Sequence, residues 1–220
     1  MNNLFIKKNL SIFIAYLLLI IITGSLLFNT DKSDFHYTIN SLVGNPIFDA
    51  LYKNITYLGD GFFAINLSLA IILIYNIRTG IMILLSYASS GIFITVLKRV
   101  FFDDINRPTF VFKYLRHQQL NYVEGAETLI HHSFPSGHSG AAFALFFSLI
   151  FMTDKLALKW VYFIIAILTA FSRTYLSQHW LIDIYVGSII GTFFAILVYT
   201  ILYKKTFMEK LNKSLLSMFL

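Results

Sequence analysis

The chain has 220 residues, of which 57% are hydrophobic and only 13% are charged, and its net charge is +6. Soluble domains carry about twice this charged fraction, so the composition excludes an ordinary soluble domain and indicates an integral membrane protein. The basic residues are scattered between apolar segments, which argues against a nucleic-acid partner, and the absence of cysteine excludes disulfides and thiolate metal sites.

The apolar segments predict an all-α membrane protein with six transmembrane helices in a single domain, residues 1–220. Each segment approaches the ~20 residues that are needed to cross the hydrocarbon core. In chain order, the predicted spans are about 10–28, 62–77, 81–97, 136–153, 156–172 and 180–203. Lys7 and Lys8 precede the first span, whose length favours an uncleaved helix over a signal peptide.

The remaining segments predict two interfacial elements, a tight turn and a long loop. Residues 31–60 mix apolar and polar side chains, which indicates a short amphipathic stretch at the membrane surface. Residues 78–80, Arg-Thr-Gly, predict the turn, and the polar residues 98–135 predict the loop. The tail, residues 204–220, places lysines opposite apolar residues and predicts an interfacial helix, not a seventh span.

A group of polar side chains lies in residues 172–183, at the start of the last span. His179 and Asp183 are four residues apart, so on a helix they would share one face. Asp183 could then hold the proton of one imidazole nitrogen while the other nitrogen acts as a nucleophile or base. Taken alone, such a pair is more often an ordinary ion pair at a helix start. Its interpretation therefore depends on the rest of the chain.

The predicted topology brings further polar residues to the same membrane face. With both termini cytoplasmic, the long loop and residues 172–183 lie together on the extracytoplasmic side, and most other basic residues lie on the cytoplasmic side. The shared face collects three cations, two histidines and a carboxylate: Lys98, Arg107, Arg173, His138, His179 and Asp183. Clustered cations repel one another unless an anion lies among them. A phosphate monoester fits, because each oxygen accepts charge-assisted hydrogen bonds.

The four residues Pro135-Ser136-Gly137-His138 add backbone donors to this prediction. If the fourth span begins here, its first N–H groups have no partners within the helix and would point at the anion. Ser136 would cap the helix and donate through its hydroxyl, and Gly137 would allow the phosphate to approach closely. A Ser-Gly pair alone indicates only helix capping, so the prediction depends on all three groups lying on one face.

Two of these segments resemble signature motifs of the type 2 phosphatidic acid phosphatases. These are six-helix membrane lipid phosphatases that share their site with soluble vanadium haloperoxidases and acid phosphatases. The matching residues are Pro135, Ser136, Gly137 and His138 in one motif and Ser172, Arg173, His179 and Asp183 in another. The family's first motif has six residues between its lysine and Arg-Pro, whereas eight residues separate Lys98 from Arg107 here. Arg99, with seven residues before Arg107, does not match this spacing either. We expect Lys98 to take the place of that lysine, with the two additional residues absorbed in a bulge or wider turn.

The resemblance implies a phosphatase that needs neither metal nor cofactor. His179, oriented by Asp183, would attack phosphorus to form a phosphohistidine, and His138 would protonate the leaving alcohol and later activate water. The residues implied to bind the phosphate are Lys98, Arg107, Ser136, Gly137 and Arg173. A metal site at His131 and His132 would lack a nearby carboxylate or cysteine, so these residues are expected to border the pocket.

The expected partners are the bilayer and a membrane lipid phosphate, in the cell (inner) membrane with the site on the periplasmic or extracytoplasmic face. Undecaprenyl pyrophosphate, phosphatidylglycerol phosphate, phosphatidic acid and lipid A remain open as substrates, and so does the oligomeric state. Phosphotransfer to an acceptor other than water is one alternative. An anion transporter is another, but it would require charges at mid-membrane depth or repeated broken helices, and the predicted spans are charged only near their ends.

Overall fold

The computed structural model describes residues 3–203 and 211–218, and within these ranges the chain forms helices and loops without a strand. The α-helices are α1 (Asn3–Asn29), α2 (Lys32–Asn40), α3 (Pro46–Ile55), α4 (Gly61–Ile74), α5 (Ile77–Val96), α6 (Pro108–Phe110), α7 (Gly137–Met152), α8 (Leu156–Tyr175) and α9 (Leu181–Tyr203). Short 3-10 helices occupy Thr56–Gly59 and Leu216–Met218, and π-helical turns occupy Leu97–Phe101 and Val111–Leu115. The predicted all-helical class is confirmed.

Among the described residues, four helical segments are long and apolar enough to cross a membrane: Asn3–Asn29, Ile77–Phe101, Leu156–Tyr175 and Leu181–Leu202. A fifth could be formed by Pro46–Gly59 and Gly61–Ile74, which are bent by 61° at Asp60. The apolar α7 is shorter. Along α1, Leu17, Ile21 and Ile22 expose more than half of their side-chain surface, which is expected of residues that face hydrocarbon. The protein is an integral membrane protein.

The predicted turn at residues 78–80 is wrong, because α5 already begins at Ile77. The side chain of Asn76 caps this helix by accepting a hydrogen bond from the Thr79 N–H at 3.0 Å. Gly80 is a packing residue instead: a Cβ there would lie 2.6 Å from the carbonyl oxygen of Ser68. A glycine that allows two helices to touch was therefore mistaken for one that breaks a helix.

The two predicted interfacial elements have different outcomes. Residues 31–60 contain two separate helices, α2 and α3, whose N-caps are Asp31 and Asn45. Most of the predicted tail helix falls on residues 204–210 and 219–220, which lie outside the described residues. Within 211–218 the chain forms the short 3-10 helix Leu216–Met218, and Lys213 O accepts a hydrogen bond from the Ile77 N–H at 2.9 Å. This part of the tail thus contacts the start of α5.

Helix α7 is buried at the centre of the bundle and touches α9 backbone to backbone. A Cβ at Gly191 would lie 2.3 Å from Gly140 O, and one at Gly187 would lie 2.5 Å from Ser136 O. Only glycine permits this approach. The contact continues to the ends of the helices, where the Ser136 N–H donates to Asp183 O at 3.0 Å. Close packing thus holds the two motif-bearing helix ends together.

Candidate active site

A cavity of about 300 Å³ lies where these helix ends meet the long loop. Six of the eight residues predicted for the site are in its wall: Lys98, Arg107, Gly137, His138, Arg173 and His179. They come from the π-helical turn after α5, the loop, α7, α8 and the turn before α9. Asp183 is completely buried behind His179. The structure therefore brings together residues that are up to 81 positions apart in sequence (179 − 98).

His179 contacts Asp183, although the pair is not arranged along one helix. Helix α9 begins at Leu181, so His179 lies in the preceding turn. Its Nδ1 is 3.2 Å from Asp183 Oδ2, and the same oxygen accepts the Trp180 N–H at 2.9 Å. Asp183 thus caps the first turn of α9 and holds the imidazole at the same time. Four-residue spacing predicted the contact but not the turn that makes it.

The hydrogen bonds of His179 assign its tautomer. Arg107 Nη1 lies 3.2 Å from His179 Nε2, and a guanidinium can only donate. Nε2 must therefore accept, which leaves the proton on Nδ1, from where it is donated to Asp183. Burial, followed by the charges of Arg107, Lys98 and Arg173, lowers the pKa of His179 well below its ordinary value. Both features favour the neutral imidazole, whose Nε2 lone pair is directed at Arg107.

Arg107 is held rigidly by the loop around it. Its guanidinium donates to the carbonyl oxygens of His131 at 2.7 Å, His132 at 3.3 Å and Gln178 at 2.7 Å. His131 and His132 therefore serve Arg107 through their backbone, and neither is part of the cavity wall. The expectation that they border the pocket is wrong, because the His131 imidazole turns outward to Asn106, at 2.8 Å.

Of the two candidate lysine equivalents, Lys98 is in the cavity wall and Arg99 is exposed. Both lie in the π-helical turn Leu97–Phe101, which ends α5. A π-helical turn holds more residues than an α-helical one. It therefore takes up part of the longer spacing between Lys98 and Arg107.

Ser136 and Gly137 have different environments. Ser136 is the N-cap of α7, and its hydroxyl oxygen accepts from the Ser139 N–H at 3.4 Å and from Ser139 Oγ at 3.1 Å. Ser136 is fully buried and is not in the cavity wall, so a direct phosphate contact is not supported. Gly137 is in the wall, and a Cβ there would meet no atom within 4 Å. The start of α7 is therefore open to a ligand at Gly137.

Three residues outside the recognised motifs support the site. Ser133 Oγ donates to Asp183 Oδ2 at 2.5 Å, Thr56 Oγ1 accepts from Arg173 Nη1 at 2.8 Å, and a Cβ at Gly59 would lie 2.8 Å from His138 O. All three are buried. Sequence reasoning missed them because each acts across at least 50 residues, and no local pattern marks such a partner.

These features define a helical membrane protein with a cationic cavity built around a neutral histidine. The family model of the PAP2 superfamily matches residues 79–207, more than half of the chain. The chain therefore belongs to the PAP2 superfamily, as the motif resemblance predicted. No curated protein matches the sequence significantly.

Two solved structures are similar to this fold. The crystal structure of Aquifex aeolicus LpxE superposes with a TM-score of 0.65 and 25% identity, covering 76% of this chain and 93% of that one. The crystal structure of a transmembrane PAP2 type phosphatidylglycerolphosphate phosphatase from Bacillus subtilis has a TM-score of 0.60 and 21% identity. That match covers 91% of this chain and 98% of the other.

Proposed function

We propose that this protein is a metal-independent lipid phosphate phosphatase that works through a phosphohistidine at His179. The observation that carries the proposal is the state of His179. Its Nδ1 lies against Asp183, and its Nε2 lone pair accepts a hydrogen bond from Arg107, while burial lowers its pKa. This arrangement suits a nucleophile that must approach an anionic phosphate.

In the first step, the phosphate oxygens bind Lys98, Arg107, Arg173 and the free N–H groups at the start of α7. Arg107 exchanges its contact with His179 Nε2 for a phosphate oxygen, which frees the lone pair. Nε2 then bonds to phosphorus as the bond to the alcohol oxygen breaks, and His138 gives that oxygen a proton. Asp183 stabilises the positive charge that develops on the His179 ring, and the cations stabilise the transition state.

In the second step, His138 removes a proton from water as the water oxygen bonds to phosphorus. The bond from phosphorus to Nε2 breaks, inorganic phosphate leaves, and His179 returns to its neutral form. Overall, one water molecule is consumed for each alcohol and phosphate released. The same intermediate could pass its phosphoryl group to another acceptor, so phosphotransfer is the second candidate.

The proposed topology is one domain with six spans, α1, α4, α5, α7, α8 and α9, and α2 and α3 lie at the membrane surface. The orientation is supported by a cluster of basic residues at the end of the bundle opposite the cavity. Lys8 pairs with Asp154 at this end, at 2.9 Å. The termini are then cytoplasmic, and the cavity faces the extracytoplasmic side. Helix α7, with 16 residues, is shorter than the full hydrocarbon thickness, so we expect His138 to lie below the membrane surface. A lipid could keep its tails in the bilayer while its phosphate enters the cavity.

The substrate is a phosphate on a membrane anchor. The four candidates are undecaprenyl pyrophosphate, phosphatidylglycerol phosphate, phosphatidic acid and lipid A. Phosphatidylglycerol phosphate gains support from the name of the Bacillus subtilis protein. An anion transporter is disfavoured, because the charged residues of the described spans lie near the helix ends.

The test is phosphate release by the purified protein from each of these lipids in detergent, with EDTA present. We expect release from at least one lipid and inhibition by vanadate, which adopts the five-coordinate geometry of the transition state. Activity that disappears with EDTA and returns with Mg²⁺ or Zn²⁺ would overturn the mechanism. Absence of turnover with every lipid, together with anion flux in liposomes, would favour the transporter.

A further inference from the structure

The turn that carries His179 depends on an unusual residue, Ser177. Its φ angle is +54°, in the left-handed region that residues other than glycine rarely adopt. Directly after it, the N–H groups of Gln178 and His179 both donate to Arg173 O, at 2.9 and 3.0 Å. The conformation of Ser177 therefore sets the direction in which the chain leaves α8 and the position of the His179 ring.

The hydroxyl of Ser177 is held by two side chains of α2. His36 Nε2 lies 3.1 Å from Ser177 Oγ, and Asn40 Nδ2 donates to the same oxygen at 3.3 Å. Asn40 is itself fixed by Asn121, whose N–H donates to Asn40 Oδ1 at 2.8 Å and whose carbonyl accepts from Asn40 Nδ2 at 2.8 Å. His36, Asn40 and Ser177 are each at most 3% exposed. This is a built-in clamp, not a chance surface contact.

His36 is also packed against the residue that follows the nucleophile. Its ring lies 5.3 Å from the ring of Trp180 and 5.7 Å from that of Phe112. The nearest charged groups face these rings and not His36 itself: Lys32 over Trp180, and Arg116 over Phe112. Asp31 and Asp34 pair with Arg116. Among the described residues, His36 Nδ1 has no hydrogen-bond partner, so the imidazole is buried without a counterion.

We propose that His36 and Asn40 are positioning residues of the phosphatase: by holding the Ser177 hydroxyl, they keep His179 Nε2 in line for attack on phosphorus. The inference rests on the proposed function. Helix α2 lies outside residues 79–207, the part that matches the family, so no family motif contains these two residues. The clamp therefore reaches the nucleophile from an element with no other part in the cavity.

The clamp acts on the rate of attack and not on phosphate binding. Lys98, Arg107 and Arg173 belong to other segments and remain in place when the clamp is lost. A displacement of His179 of about 1 Å is expected to lower the rate by up to about a hundredfold. Accordingly, kcat should fall while KM changes little.

The test compares His36→Leu, Ser177→Ala and the double variant with the wild type, using one short-chain lipid phosphate. Each single change should lower kcat tenfold or more with KM within about twofold. The double variant should be no slower than the slower single variant, because both changes break the same link. His36→Gln, which can still bond the hydroxyl, should recover most of the activity. Thr38→Ala, at an exposed position on α2, is the matched control and should be neutral.

Ser177→Gly keeps the test decisive if Ser177→Ala fails to fold, because glycine adopts the left-handed turn but lacks the hydroxyl. It should show the same loss of kcat. Wild-type kcat in Ser177→Gly or His36→Leu would overturn the clamp, and so would strictly additive losses in the double variant. A failure of the proposed function is distinct: the wild type would then release no phosphate, or His179→Ala would remain active.

Discussion

Both ends of the helix bundle bury cations, but the hydrogen bonding of these cations differs between the two ends. At the end opposite the cavity, the Lys159 ammonium donates to Lys8 O at 2.9 Å and to Asn9 Oδ1, and Asp154 lies nearby in an ion pair with Lys8. At the cavity, Arg173 donates to Thr56, but its Nε has no partner among the described residues. At the first end the buried ammonium is held by oxygen atoms of the protein and supports the fold. At the cavity, Arg173 keeps a buried donor without a partner, so this cation can still bind an anion from outside.

The largest expected effect on kcat comes from replacing His179, at the centre of the cavity. His179→Ala should lower kcat at least about a thousandfold, because no phosphohistidine can form without Nε2. Phosphate release and acid-labile ³²P labelling of the protein would measure this. His117→Ala, at an exposed loop histidine, is the control. Activity above about one hundredth of the wild type would assign His179 a general-base role instead.

The second effect separates two adjacent cations at the cavity end. Lys98→Ala should cost about 2–4 kcal/mol of transition-state stabilisation, by comparison with the loss of one oxyanion donor. Arg99→Ala should change little, because its side chain is exposed. The ratio of kcat/KM for the two variants on one substrate measures the difference. A large loss at Arg99 with Lys98 silent would contradict the placement of Lys98 in the cavity wall.

The third effect concerns His36, a buried group with no countercharge. Burial lowers the pKa of His36 to about 4. In the unfolded chain the histidine pKa is about 6.5. Below that pH the unfolded chain therefore binds a proton at His36, whereas the folded protein leaves His36 unprotonated. The free energy of unfolding should therefore decrease between pH 6.5 and 4, by at most about 3 kcal/mol. His36→Gln should flatten this part of the curve in thermal unfolding at several pH values. An unchanged curve would show that His36 titrates normally.

The smallest effect tests the satisfied end of the bundle. Lys159→Leu leaves the side-chain oxygen of Asn9 without its donor, at a cost of about 1–3 kcal/mol. We expect a lower Tm in detergent with unchanged kcat and KM, because Lys159 is remote from the cavity. Lys155→Leu, an exposed neighbour, is the control. A variant with normal Tm and reduced kcat would remove the distinction between the two ends.

The sequence predicted most of the residues that meet in the cavity, and the reason is physical. In a bilayer, apolar length determines where a helix can end, and successive spans run in opposite directions. Loops that are two spans apart therefore lie on the same membrane face, together with the polar residues at the adjoining helix ends. This placed His138, Arg173 and His179 together without any knowledge of their contacts. The same reasoning favoured Lys98 over Arg99, but it could not predict the π-helical turn that ends α5, on which one residue of helical register depends.

The sequence by itself determined the class of protein, the helical composition and the motif residues, since each follows from local apolar length or from residue spacing. Only the tertiary structure decided how these residues are held. The clamp on Ser177, the Ser133 bond to Asp183 and the Thr56 bond to Arg173 join residues that are 50 to 141 positions apart. Gly80, Gly187 and Gly191 likewise serve helix contacts that no turn pattern predicts. Such partners are selected by three-dimensional packing, which local sequence patterns do not encode.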